Sequence, residues 1–205
     1  MGKVESQVRS RLRAASHLCH VRINSHPLLV GITRSDYSLS SYHGVLLAYF
    51  QLYAALEKQI NRFTQSHAVA LDYSRRLKLP WLEDDLHFFN ADTSLELNPP
   101  RYPIEFPEIK TMGELIGVLY AIEGASLGGQ MLSQHLHKNL GLSTHQGASF
   151  FNGYGEDTAA KWQEFCQFAD AIHGDEAECQ SAEAAAIATF NKFEVALNAY
   201  YPIRF

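Results

Sequence analysis

Apolar residues recur every three or four positions along most of this chain, the spacing that places them on one face of a helix. No stretch alternates between apolar and polar residues with the period of two that is typical of a strand. The pattern predicts helices over residues 6–24, 38–63, 71–79, 81–89, 111–139 and 157–173, and a last one from residue 175. We therefore expect an all-α fold, a multi-helix bundle in a single domain covering residues 1–205.

Prolines, glycines and capping residues mark where these helices begin and end. Thr111 and Glu114 match a capping box at the start of one helix, and Gly174 is a stop signal after another. Residues 98–107 hold four prolines, which predicts an extended connector, and the glycines of residues 141–155 predict a loop. Three further positions act as boundaries: Pro80 as the end of a helix, and Asp157 and Asp175 as N-caps.

Composition narrows the class of protein. Hydrophobic residues make up 46% of the chain and charged residues 19%, which is too apolar for a disordered protein. No run approaches about 18 consecutive apolar residues, and the N-terminus has no apolar region typical of a secretion signal. Three cysteines at irregular spacing fit neither a disulfide framework nor a zinc site. We expect a cytoplasmic protein in a reducing compartment, without a membrane span.

Charge is distributed unevenly along the chain. The net charge of −5 argues against a nucleic-acid partner. Residues 1–34 nevertheless carry six basic side chains and one acidic side chain, so the first predicted helix is basic on an acidic body. Such a helix indicates either an anionic small ligand or an acidic protein partner, and the alternative is a solvated face without a role.

The segment 115–132, LIGVLYAIEGASLGGQML, is unusually rich in small residues for a helix interior. Each glycine there costs about 1 kcal/mol relative to alanine, so a close contact must compensate. The glycines also predict a bend over residues 124–129. Two interpretations stay open: a second helix packed closely against small residues, or a flat ligand lying on the backbone. The small residues share one face, with Gly129 beside it: Gly117, Ala121, Gly124, Ala125 and Gly128.

The first predicted helix carries groups that suit one flat ligand, heme. Arg13 precedes His20 by two helical turns, about 10 Å, which is near the reach from a porphyrin iron to its carboxylates. An axial imidazole with cationic anchors at the rim is what heme binding requires, and Arg9 is a second cation on that face. The alternatives are that His20 is an ordinary surface or core histidine, or that His17 is the ligand.

Four stretches of this chain together resemble the heme oxygenases, in that family's order. They are residues 12–20 (LRAASHLCH), 42–57 (YHGVLLAYFQLYAALE), 119–130 (LYAIEGASLGGQ) and 150–155 (FFNGYG). The E-G-A-S-L-G-G form is most similar to the bacterial branch associated with phytochromes. The resemblance implies a heme oxygenase-like bundle that opens heme to biliverdin with release of carbon monoxide and ferrous iron.

The resemblance also implies roles for individual residues. His20 matches the ligand of the heme iron, and Arg13 matches a residue that pairs with a heme propionate. Tyr120 and Lys161 are weaker propionate candidates. Heme b is then both cofactor and substrate, with O2 and reducing equivalents as co-substrates. The glycines that allow close contact on the distal side of heme are matched by Gly124, Gly128 and Gly129.

Two positions depart from the animal members of the family. Ala125 stands where those enzymes have an aspartate that holds distal water, so we expect Ser126 or backbone carbonyls to hold that water instead. Asn24 stands where they have a glutamate bonded to the proximal imidazole, and a neutral amide gives a less basic imidazole.

The resemblance implies an external electron donor such as a ferredoxin or a flavin reductase, and a functional link to a bacteriophytochrome. The main alternative is a non-catalytic heme-binding or heme-carrier protein, which would use the same His20 but would not need several distal glycines. A di-iron bundle needs two Glu-x-x-His motifs, and the nearest match is a single Asp84-x-x-His87.

Overall fold

The structure is a computed structural model that describes residues 6–92 and 104–201 of the chain. That part of the chain contains no strand, and the all-α prediction is confirmed. Short 3₁₀ turns lie at Tyr73–Arg76, Gly155–Asp157 and Asp170–Ile172. The α-helices are α1 (Gln7–Asn24), α2 (Pro27–Gly31), α3 (Leu39–Ser66), α4 (Leu79–Asp92), α5 (Met112–Leu140), α6 (Ser149–Asn152), α7 (Thr158–Ala169) and α8 (Glu176–Ala199).

The helix α5 forms the centre of the bundle. It packs along α8, while α1 also packs against α8, and α3 packs against α4 and α8. Its side chains Leu115, Ile116 and Ile122 are fully buried, and this burial of apolar surface stabilises the bundle. By length and composition α5 is also apolar enough to cross a membrane, and half of its most apolar stretch is buried inside the bundle. A central core helix has the same composition.

Several predicted helix ends are present in the structure. The Thr111 hydroxyl accepts a hydrogen bond from the Glu114 amide at 3.1 Å. The Glu114 carboxylate accepts one from the Lys110 amide instead of the Thr111 amide, so only half of the capping box is formed. Asp175 accepts the Glu178 amide at 3.1 Å and thereby caps α8. Gly141 ends α5 at φ +71°, a left-handed conformation that favours glycine.

The predicted helix over residues 71–79 is wrong. That stretch makes only a 3₁₀ turn, and Pro80 lies in the first turn of α4, where proline is well tolerated, instead of ending a helix. Asp157 precedes α7 without a side-chain capping bond. The loop predicted over residues 141–155 contains the short α6. Of the proline-rich connector, residues 98–103 lie outside the described part of the chain, and residues 104–107 are not helical.

Ion pairs join α1 to α8. Arg11 binds both Glu176 and Glu183 at 2.6 Å, and Arg22 binds Glu194 at 3.1 Å. Part of the basic charge of the first helix is therefore matched by acidic residues of this same chain. Ion pairs this exposed contribute little free energy each, but they orient α1 on α8.

Candidate functional site

A cavity of about 620 Å³ lies between α1 and α5. Its volume is within the roughly 300–1,000 Å³ that is usual for small-molecule sites. One wall comes from α1 and the facing wall from residues 120–132 of α5. The remaining surface is largely aromatic, contributed by Tyr49, Tyr53, Phe150, Phe151, Trp162, Phe190 and Phe193.

His20 lies on the α1 wall. The Asn24 side-chain nitrogen is 3.2 Å from its Nδ1 and 3.4 Å from its Nε2, and the Phe190 ring meets the imidazole edge-on at 5.8 Å. Burial, assisted by the nearby His17, lowers the pKa of His20. A lowered pKa keeps the imidazole neutral at neutral pH, which is the state that binds a metal.

His17 also lines this cavity, so the structure brings both candidate histidines to it. The two differ in their surroundings. His20 has an amide partner and a ring contact that orient it, whereas the described residues show neither for His17. An imidazole held in one orientation is the better preorganised ligand.

Cationic groups line the cavity along α1. Arg9 and Arg13 are both lining residues, and the Arg9 guanidinium lies 5.9 Å from the centre of the Trp162 ring. Tyr120 faces the same region, where burial raises the pKa of its hydroxyl while Ser16 and these two arginines oppose the shift. This end of the cavity therefore suits carboxylates.

Lys161, the weaker propionate candidate, is placed elsewhere. Its ammonium pairs with Glu164 at 3.1 Å within α7, and it is absent from the lining of the cavity as the described residues define it. The structure thus brings Arg13 and Tyr120 together with His20 but leaves Lys161 out.

Part of the α5 wall of the cavity is glycine backbone. A Cβ added at Gly128 would meet nothing within 4 Å, and one at Gly124 would lie 3.6 Å from Trp162. Gly129 also lines the cavity, but a Cβ there would lie 2.8 Å from the Phe151 carbonyl oxygen. Gly129 therefore lets the α6 segment approach, Gly124 lies at contact distance from the Trp162 ring, and Gly128 leaves an open slot beside the helix. Helical hydrogen bonding is continuous through α5, so the predicted bend produces no break in the helix.

The other small residues of α5 have a different role. A Cβ at Gly117 would lie 2.1 Å from the Ala182 carbonyl oxygen of α8, and one at Gly113 would lie 2.1 Å from that of Glu178. Here two backbones touch, so the packing interpretation describes this half of α5 and the open-slot interpretation describes the other.

Ala125 and Ser126 both line the cavity. The Ser126 hydroxyl donates to the Ile122 carbonyl at a long 3.4 Å, which leaves its oxygen available to water. Among the described residues that line the cavity there is no carboxylate. The aspartate that Ala125 replaces therefore has no direct substitute on this wall.

A buried ionic cluster behind α5 was not predicted from the sequence. Glu123 accepts from Arg76 at 2.9 Å and from Lys78 at 2.7 Å, and all three side chains are about 1–2% exposed. Lys78 also lines the cavity. In the sequence, Arg75-Arg76-Leu77-Lys78 resembles an ordinary run of solvent-exposed charges. The feature that could have indicated a buried cluster is Glu123, a single acidic residue in an otherwise apolar helix.

Comparisons with known proteins all point to the same family. The family model described as heme oxygenase matches residues 6–199. A curated heme oxygenase of Takifugu rubripes is 29% identical over 142 residues, which cover 64% of this chain and 51% of the relative. The chain thus matches about half the length of that relative.

Solved structures share the fold. A heme oxygenase from Leptospira interrogans has a TM-score of 0.74 at 18% identity, covering 93% of this chain and 98% of that one. Heme oxygenase-1 from Synechocystis, solved in complex with heme, has a TM-score of 0.72 at 17% identity over 95% and 92%. The NO- and CO-bound enzyme of Neisseria meningitidis has a TM-score of 0.70 at 18% identity over 93% and 90%.

Proposed function

The chain belongs to the heme oxygenase family, and from this premise we propose that it opens heme oxidatively to biliverdin, with release of carbon monoxide and ferrous iron. One observation carries the proposal. The imidazole of His20 and the backbone of Gly124 and Gly128 line the same cavity, and the space beside Gly128 is open. A flat ring fits such a slot, whereas a helix core would have filled it with side chains.

The residues of the cavity fit heme. The aromatic surface suits the apolar faces of a porphyrin, and Arg9 and Arg13 suit its two carboxylates. The neutral imidazole of His20 suits the iron. Heme would supply the iron chemistry with O2 and reducing equivalents, so it is both cofactor and substrate.

Each wall has a separate task in this proposal. His20 holds the iron from the α1 side, with Asn24 orienting the ring. The arginines would fix the rotation of the substrate in its plane through its propionates and so set which ring edge is opened. The bare α5 wall admits the substrate closely, and the aromatic residues exclude bulk water.

We propose further that the electrons come from a ferredoxin or a flavin reductase and that the protein works in the cytoplasm. The E-G-A-S-L-G-G stretch supports placement in the bacterial branch associated with phytochromes, with biliverdin supplied to a bacteriophytochrome. The excess of basic side chains over residues 1–34 supports docking of an acidic donor, although Arg11 and Arg22 already pair with α8.

The direct test is titration of the protein with hemin, followed by reduction under air and identification of the pigment by chromatography. We expect a stoichiometric Soret band that decays as biliverdin forms. A Soret band that persists under ascorbate or a ferredoxin reductase system, with no biliverdin, would establish a heme carrier instead. A protein that binds no hemin would contradict both functions.

A pair of variants tests the axial ligand. His20→Ala should bind hemin without the nitrogen ligand, with turnover reduced by about 100-fold or more because the iron is no longer held in place. His17→Ala, three residues earlier on the same cavity wall, is the matched control and should retain the ligand spectrum. Resonance Raman or magnetic circular dichroism reports the axial nitrogen. Loss of that signal in His17→Ala alone would contradict our assignment of the ligand.

A further inference from the structure

Trp162 of α7 lies at the end of the cavity that carries the arginines. Its indole ring lines the cavity, and the Arg9 guanidinium lies 5.9 Å from the centre of that ring, within the range of a cation–π contact. The same ring approaches α5, since a Cβ added at Gly124 would lie 3.6 Å from it. One side chain of α7 is therefore placed beside both the α1 wall and the α5 wall at this end of the slot.

The position of Trp162 is fixed by its neighbours. Its ring is 5.9 Å from that of Tyr120 and 5.3 Å from that of Phe165, which is itself buried. The backbone just before it is tied to the buried ionic cluster, because the Arg76 guanidinium donates to the Lys161 carbonyl at 3.2 Å. A side chain held in this way presents a preformed surface to a ligand, so little ordering remains to be done on binding.

The two arginines of the α1 wall lie at different distances from His20. Arg13 precedes His20 by seven residues, about 10 Å along the helix, and Arg9 precedes it by eleven residues, about 16 Å. Side chains on a helix lean toward its N-terminus, which for Arg9 is the direction away from His20. Its contact with Trp162, a residue of the cavity lining, instead keeps the Arg9 guanidinium at the slot.

A ring that is held at its centre by a single axial bond can turn in its own plane, so contacts at its rim must fix its rotation. We propose that Trp162 is a specificity-determining residue that seats a flat macrocyclic dicarboxylate in one rotation. It limits the slot at the arginine end and holds Arg9 for one of the two carboxylates. The inference rests on the proposed function and deepens it, because the rotation of the ring sets which of its edges is opened.

The first test measures the seating of the ring and needs no turnover. The probe is an iron porphyrin that is symmetric about the line between its two propionates, so that turning it over creates no second species. In its ferric cyanide complex, the proton resonances of the ring methyl groups show how many rotations are populated. We expect one dominant set in wild type. In Trp162→Leu a second set should grow at least about threefold relative to the first, the size of change that loss of one cation–π contact produces.

Variants of neighbouring residues separate the role of Trp162 from a general loosening of the fold. Arg9→Gln should increase the same second set, because Trp162 acts in part through Arg9. The double variant should then change the ratio by less than the product of the two single changes. Phe168→Leu is the matched control and should keep the wild-type ratio, since it removes an aromatic side chain from the same helix outside the cavity lining.

The second test identifies the pigment. With hemin as substrate, wild type should form mainly one biliverdin isomer, and Trp162→Leu should raise the share of another at least about threefold. Chromatography separates the isomers. A defect of the fold alone would lower the yield of biliverdin without changing the isomer ratio. Trp162→Phe keeps a smaller ring that holds a cation less strongly, so it should shift both ratios in the same direction by less. If Trp162→Leu does not fold, Trp162→Phe decides.

The proposal is overturned if Trp162→Leu and Trp162→Phe both keep the wild-type ratio of methyl resonances, or if Phe168→Leu changes it as much as they do. Several sets of comparable intensity in wild type would overturn it too, because the chain would then hold no single rotation. Failure of the proposed function gives a different result: wild type would form no biliverdin, while the resonances still report the seating. A wild-type protein that binds no iron porphyrin contradicts both.

Discussion

The two halves of α5 carry the same kind of residue for opposite reasons. In the first half, Gly113 and Gly117 lie under carbonyl oxygens of α8, where a Cβ would approach to 2.1 Å. In the second half, Gly128 faces open space, where a Cβ would meet nothing within 4 Å. Glycine in the first half lets two helices touch, and in the second half it keeps a slot empty.

This difference shows that a stripe of small residues does not define a site by itself. The interval is only eleven residues from Gly117 to Gly128, and the two fall on the same predicted face. What differs is the element opposite: α8 runs along the first half, while the second half faces α1 across the cavity. Tertiary context thus decides whether the helix-propensity cost of glycine is offset by packing or by a ligand.

The largest expected effect is a loss of stability on substitution in the first half of α5, which packs against α8. Gly117→Ala should lower the free energy of unfolding by about 3 kcal/mol, because its Cβ would overlap the Ala182 backbone, which cannot move without displacing α8. Denaturant titration measures the change. A loss below about 0.5 kcal/mol would show that α8 yields easily and would remove the basis for separating the two halves.

A bulky residue in the open half should act on the ligand instead. Gly128→Leu should weaken hemin binding about 100-fold, or about 2.8 kcal/mol, because the side chain would project into the slot. Thermal stability should stay near that of wild type. Met131→Leu is the control, since Met131 is a 63% exposed residue of the same helix outside the cavity lining. Unchanged hemin affinity in Gly128→Leu would contradict the open-slot interpretation.

The smallest expected effect is a gain in stability instead of a loss. Gly128→Ala should raise the free energy of unfolding by about 0.5–1 kcal/mol, because alanine is the better helix former and its methyl group meets no atom. Since Gly117→Ala makes the same chemical change in the same helix, the pair measures context alone. Destabilisation by Gly128→Ala, seen in the same denaturant titration, would mean that the cavity wall is closed in solution.

Much of the fold could be predicted because its signals are local. Thr111 and Asp175 cap helices through bonds to residues three positions later, and a local pattern reveals such bonds. The helix predicted over residues 71–79 is wrong because its conformation depends on distant residues. Arg76 and Lys78 are drawn into contact with Glu123, more than forty residues away, and this long-range contact outweighs the helical pattern of their own segment.

The candidate site also has a part that the sequence could predict and a part that it could not. His20, Arg13 and the small residues of α5 were identified because they lie at fixed spacings within single helices. Which glycines touch α8 and which face the cavity depends on how α5 lies among its neighbours, and no spacing within α5 contains that information. The burial of Lys78 was missed because it requires partners from α5 and from the segment after α6.

The attachment of α1 to α8 has a mechanical consequence. Arg11 and Arg22 bind acids of α8, and Leu12 and Ile23 are buried on the same helix, so α1 is fastened along its length. We therefore expect the wall of the cavity that carries His20 to keep its position when a substrate enters. We then expect any widening to admit a substrate or release a product to occur at the opposite wall, where the Gly129 backbone of α5 lies against the Phe151 carbonyl of α6.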